Sequence, residues 1–105
     1  MAALLKIRSK VEAGSVIVIP EGRIDANTAS LLDKEISSVI AGTDSIIIDF
    51  DKVEYISSAG LRVLLGTSKA MLKKNGELKI INVSDNIMDV FAVTGFINKL
   101  NITKK

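Results

Sequence analysis

A chain of 105 residues, 48% of them hydrophobic, is long enough for one core and too short for two. Its 14 basic and 12 acidic residues leave a net charge of +2, too balanced for a surface that tracks a nucleic-acid backbone, and one tyrosine and three phenylalanines offer little to stack on bases. Cysteine and histidine are both absent, which excludes disulfides, thiolate nucleophiles, imidazole bases and every zinc site built on those ligands.

The start, Met1-Ala2-Ala3-Leu4-Leu5-Lys6, lacks the basic region, apolar run and small-residue cleavage site of a signal peptide. No apolar run approaches the ~20 residues of a membrane span. The expectation is one soluble, cytoplasmic domain over 1–105, acting neither at a membrane nor on nucleic acid. Lys99, Lys104 and Lys105 near the end read as a solvated tail.

In chain order, Leu5 and Ile7 alternate with Lys6 and Arg8 as in a half-buried strand. Glu12-Ala13-Gly14-Ser15 reads as the turn of an antiparallel hairpin, and Val16-Ile17-Val18-Ile19 as its second strand, ended by Pro20. After Glu21-Gly22-Arg23-Ile24-Asp25, the residues Ala29, Leu32, Ile36, Val39 and Ile40 recur at helical spacing. Asp25, Asn27 or Thr28 can cap that helix, and Gly42, in the usual place of a positive φ, closes it. Ile46-Ile47-Ile48 reads as a central strand covered on both faces.

A short polar loop then leads to a second helix, from about Ser57 or Ser58 to Lys74. Its expected inner stripe is Leu61, Leu64, Leu65, Ser68 and Leu72, and its wet side Lys69, Lys73 and Lys74. Asn75-Gly76 stops it, Leu78-Lys79-Ile80-Ile81 returns as a strand, and Ser84 or Asp85 opens a third helix. That helix carries Ile87, Val90, Phe91 and Thr94 inside and stops at Gly95. Phe96 to Ile102 adds an edge strand or covers the core. The order is β-β-α-β-α-β-α with a possible final strand: an α/β fold whose mixed sheet opens with an antiparallel hairpin, continues in parallel strands and has helices packed on it.

Three catalytic readings fail on the residues themselves. Ile56-Ser57-Ser58-Ala59-Gly60 resembles half of a nucleophile elbow, but Ile56 replaces the first glycine and no histidine exists to take the serine's proton; Lys52 is the nearest alternative base. Gly66-Thr67-Ser68-Lys69 lacks the spacing of a phosphate-cradling loop and falls mid-helix. Asp49, Asp51 and Glu54 are three acids in six residues, but Lys52 is interleaved and such acids ordinarily solvate a loop. No catalytic residue, metal or cofactor is expected. What remains is a pair of hydroxyls, Ser57 and Ser58, between a strand's carboxyl end and a helix's amino end, where a phosphate is electrostatically welcome. Read alone, either serine is also an ordinary helix cap.

The stretch Asp49-Phe50-Asp51-Lys52-Val53-Glu54-Tyr55-Ile56-Ser57-Ser58-Ala59-Gly60-Leu61-Arg62-Val63-Leu64-Leu65-Gly66 resembles that of the STAS domain, specifically of the small single-domain anti-sigma factor antagonists. These carry an aspartate-serine-serine-glycine-leucine-glycine type segment after a buried strand ending in aspartate. Glu21-Gly22-Arg23-Ile24-Asp25 is similar to the family's upstream glycine-x-leucine/isoleucine-aspartate stretch, and Val90-Phe91-Ala92-Val93-Thr94-Gly95-Phe96 to its closing helix and turn. The resemblance covers roughly Val16 to Ile102.

It implies a partner switch. The unphosphorylated protein binds an anti-sigma factor that is also a serine kinase, freeing the sigma factor. Phosphorylation ends the complex, and a serine phosphatase resets it. Aligned on the motif, Ser58 takes the phosphoacceptor place, with Ser57, where the family often has aspartate, as second choice. Ala59 and Arg62 stand where the family has its second serine and second glycine. The implied partner-binding residues are Asp25, Ser57, Ser58, Ala59, Gly60, Leu61 and Arg62, although Asp25 reads equally well as a helix cap. Arg62, one turn after Ser58, is placed to pair with a phosphate there. The alternative is a STAS module that binds constitutively, as a scaffold or transport-accessory subunit.

Overall fold

The structure, a computed structural model, describes residues 5–105; the expectation about a leader falls on 1–4, outside the described residues. Strands β1 (Leu5–Glu12) and β2 (Ser15–Ile24) form the expected antiparallel hairpin. Ala13 and Gly14 turn it with φ of 52° and 84°, the mirror-image turn whose twist matches paired strands. Helix α1 (Ala29–Val39) follows, then a single 3-10 turn over Ile40–Gly42, and strand β3 (Ser45–Asp49). Strand β4 (Lys52–Ile56) leads into helix α2 (Ser58–Lys73), strand β5 (Glu77–Val83) and helix α3 (Asp85–Thr94). The chain ends in edge strand β6 (Asn101–Lys104).

The sheet runs β1-β2-β3-β5-β6, parallel after the hairpin, and β4 pairs with β2 beyond the end of β3. Strand β4 is the main departure from the sequence reading, which made this segment a polar loop. The chain kinks at Phe50-Asp51 and then continues beside the second half of β2. The Asp49 carboxylate holds the kink by accepting from the Asp51 amide at 2.9 Å and from Asn82 Nδ2 at 3.0 Å. Beneath it, the buried Phe50 ring packs tilted against Phe91 of α3, centroids 6.2 Å apart.

The same kink explains why Pro20 does not end β2, as expected of it. Strand β2 ladders with β3 over Val16–Val18 and with β4 over Glu21–Ile24. Pro20, which cannot donate, falls in the gap between the two ladders.

The core lies on one face of the sheet. Val18, Ile24, Ile46, Ile48 and Ile80 are fully buried there with Leu32 and Leu64 of the helices, each burial worth about 1.5–3 kcal/mol. Ile47 points to the opposite face and is only half-buried, so β3 is covered on one side rather than two. Helix α2 is also rotated from the expected stripe. Gly60, Leu61, Leu64, Thr67 and Met71 face the core, and Leu72 is 68% exposed. In α3, Ile87 and Phe91 are buried while Thr94 is exposed.

Helix ends are closed by turns and side-chain hydrogen bonds. Gly42 does not take the left-handed conformation expected of it. Instead Lys74, expected on the wet side, reaches across to the Ile40 carbonyl with Nζ at 2.6 Å. Asn75 takes the left-handed turn after α2 (φ 57°), with Gly76 N donating to Met71 O and Asn75 N to Leu72 O. Ser84 caps α3 through the Ile87 amide, and Gly95 ends it with φ 80°.

Candidate functional site

The carboxyl ends of β2 and β4 lie side by side, and the chain turns from them into α2. The Ser57 amide donates to the Ile24 carbonyl at 2.8 Å, tying the turn to the neighbouring strand. Ser57 is extended (φ −100°, ψ 176°), and its Oγ accepts from the Gly60 amide at 3.5 Å, so it is the residue spent on the cap. Ser58 is the first residue of the helix and is exposed.

Behind them the helix start is pressed against the core. A Cβ on Gly60 would stand 2.6 Å from Ile24 Cγ2 and 2.7 Å from Ile56 Cγ1. Only glycine brings the first turn of α2 this close to the two strands. Leu61 is buried and Ala59 half-buried, while Arg62 is exposed. Ser58, Leu61, Arg62 and Leu65 of α2 face Thr94 and Phe96 across a hollow of about 300 Å³. Of the residues expected at a docking surface, Ser58 and Arg62 are freely presented, Asp25, Ser57 and Ala59 partly so, and Gly60 and Leu61 set the height and tilt of the helix.

Asp25 lies at the exit of β2, beside this turn. Its Oδ1 accepts from the Asn27 amide at 2.9 Å and from the Thr28 amide at 3.1 Å. Thr28 Oγ1 accepts from the Asp25 amide at 2.8 Å and lies 2.7 Å from the Arg23 carbonyl, to which it donates. Asp25 and Thr28 thus close the turn before α1 with reciprocal bonds, and of the three candidates the sequence left open Thr28 takes the N-cap position, without a side-chain bond to the helix amides. Partial burial pushes the Asp25 carboxyl up, but hydrogen bonds from Asn27 and Thr28 and the Arg23 charge outweigh it and hold the pKa below the ordinary 3.8. The lowered pKa contributes stability above the unfolded-state value, lost as pH falls through the folded one. In an NMR titration Asp25 is expected to ionise below an ordinary aspartate. The stability gap between wild type and Asp25→Asn should shrink on acidification; a gap constant with pH would contradict this.

The three acids Asp49, Asp51 and Glu54 do not converge. Asp49 is occupied at the kink, Asp51 pairs with Lys105 at 3.0 Å, and Glu54 is exposed on β4. Among the described residues no cluster of acids suited to a metal is present, and no helix is long and apolar enough to cross a membrane. Two residues at this end of the sheet went unnoticed in the sequence. Arg23 of β2 and Tyr55 of β4 are ladder partners, and the Arg23 guanidinium carbon lies 4.3 Å from the Tyr55 ring centroid.

The chain is 31% identical over 84 residues to the anti-sigma-B factor antagonist of Staphylococcus aureus, covering 79% of this chain and 78% of that one. An anti-sigma factor antagonist from Mycobacterium paratuberculosis has the same fold, with a TM-score of 0.87 at 24% identity over 96% of this chain and 86% of its own. The Bacillus protein SpoIIAA matches in its unphosphorylated form (TM-score 0.75, 17% identity, 95% and 88% covered) and in its phosphorylated form (0.73, 19%, 95% and 92%). The family model for the STAS domain matches residues 6–105, and the chain belongs to that family.

Proposed function

We propose that this chain is an anti-sigma factor antagonist working as a phosphorylation-controlled partner switch. Unphosphorylated, it binds an anti-sigma factor that is also a serine kinase, and so frees the sigma factor. Phosphorylation of Ser58 ends the complex, and a serine phosphatase restores it. The chain is a cytoplasmic single domain that supplies an acceptor and a surface, not catalysis. The observation that carries the reading is the division of labour between the two serines: Ser57 is committed to the cap, and Ser58 stands exposed on the rigid first turn.

In the transfer, Ser58 Oγ attacks the γ-phosphorus of the kinase's ATP. Its proton passes to a base on the kinase, and ADP leaves. The product adds nearly two negative charges at the positive end of α2, with Arg62 one turn along. The free domain therefore tolerates the phosphate, while a surface closely docked on the helix start does not. SpoIIAA keeps a fold similar to this one in both its forms, which supports a switch that leaves the domain folded.

The test is incubation of the purified chain with ATP and each anti-sigma factor serine kinase encoded in its genome, with the phosphate located by peptide mass spectrometry. Phosphate on Ser58 is expected, with a melting temperature within about 4 °C of the unmodified chain, equivalent to less than ~1 kcal/mol. Phosphate on Ser57 would move the acceptor, and no phosphate with any kinase would remove the switch.

A further inference from the structure

We infer that Arg23 and Tyr55 form a second anchor for the partner kinase, a preformed cation–aromatic pair that receives an aspartate or glutamate carboxylate from the kinase surface. The inference rests on the switch reading above and extends its footprint from the helix to the strands. Both residues lie at the end of the sheet that carries the acceptor. The Ser57–Ile24 hydrogen bond joins the two strands there, with Arg23 one residue before Ile24 and Ser58 one residue after Ser57. Ile24 and Ile56 face α2, so the side chains of their strand neighbours Arg23 and Tyr55 project from the opposite face of the sheet. A kinase that engages both the pair and Ser58 therefore wraps the carboxyl ends of β2 and β4.

The pair is exposed and already ordered. Tyr55 is 40% exposed and the Arg23 side chain 46%. The guanidinium lies over the ring, so the long side chain is held before any partner arrives. Among the described residues, the acidic group that approaches it leaves it available: Asp25 Oδ2 comes only to 3.9 Å from Arg23 Nε, too far for a hydrogen bond, and its other oxygen is engaged by Asn27 and Thr28. The outer N–H groups of the fork are thus presented beside an aromatic flank. That geometry suits a carboxylate, which arginine binds through two parallel hydrogen bonds. Arginine and tyrosine are also the residue types over-represented where interface energy concentrates.

A purely structural role is the competing account, since a cross-strand pair also steadies β4. Kinetics separate the two. With the kinase that phosphorylates the wild-type chain, Arg23→Glu and Arg23→Ala are expected to raise KM for this protein, by roughly tenfold for the charge reversal, as for loss of an interface anchor. The kcat and melting temperature should stay near wild type. Tyr55→Phe keeps the ring face and should leave KM unchanged, whereas Tyr55→Ala should raise it. An unchanged KM in both Arg23 variants, with the wild type phosphorylated, overturns this inference alone. So does a KM rise matched by a comparable loss of folded protein. Failure of every kinase to phosphorylate the wild type overturns the switch and this anchor together.

Discussion

Ser58→Asp is expected to weaken binding to the anti-sigma factor kinase by about 100-fold or more, whereas Ser58→Ala retains wild-type affinity. Ser58 is small, neutral and exposed, so a docked partner can close over it without desolvating a charge. A carboxylate in its place loses its water under the docked partner, with Arg62 one turn along to offset only part of that loss, which costs ~2–5 kcal/mol at a buried interface. At 1.4 kcal/mol per factor of ten, the ~3 kcal/mol that a hundredfold loss needs lies within that range. The domain itself gives no reason to fail, because an acidic residue at the first position of α2 complements the helix dipole. Calorimetric titration of both variants, with thermal melts alongside, separates the effects. Equal affinities for the two variants would replace the switch by constitutive binding, as in a scaffold or transport-accessory module. Loss of binding in Ser58→Ala as well would make the hydroxyl a contact rather than a neutral surface.

The place of the two serines is legible because two local signals bracket it: a triple-isoleucine strand running into Asp49, and a helix expected from about Ser57 or Ser58. What sequence could not show is the path between them. Lys52-Val53-Glu54-Tyr55-Ile56 buries Val53 and Ile56, three residues apart, because the ladder with β2 shifts register between Gly22 and Arg23. A bulged strand breaks the two-residue alternation by which strands are recognised. Only its valine, tyrosine and isoleucine hinted at β structure. With β4 unseen, the Arg23–Tyr55 pair had no reason to be noticed. Pro20 misled for a related cause, since its cost depends on the neighbouring strands at that point in the ladder. The expected stripe of α2 runs toward Leu72 because helical spacing alone does not reveal that Gly60 faces inward and fixes the helix's rotation.

That glycine gives the test linking fold to site. Gly60→Ala is expected to destabilise the domain by up to about 2 kcal/mol although alanine is the better helix former. The intrinsic gain in a helix is ~1 kcal/mol, but overpacking a tight core contact costs ~1–3 kcal/mol. Here the new methyl would stand 2.6 Å from Ile24 Cγ2 and 2.7 Å from Ile56 Cγ1. These are branch atoms close to the backbone of two buried strand residues, not the free ends of flexible chains, so the start of α2 must lift. Gly66, later in the same helix, is the internal control: a Cβ there meets nothing within 4 Å. Gly66→Ala should therefore stabilise by up to ~1 kcal/mol, the ordinary helical gain. Urea unfolding of the two variants should move in opposite directions. Because the lift carries Ser58 with it, Gly60→Ala should also slow phosphorylation under conditions where the protein is still folded. If both glycine variants gained stability, the helix start would not be pinned to β2 and β4, and the acceptor's fixed height above the sheet would go with it.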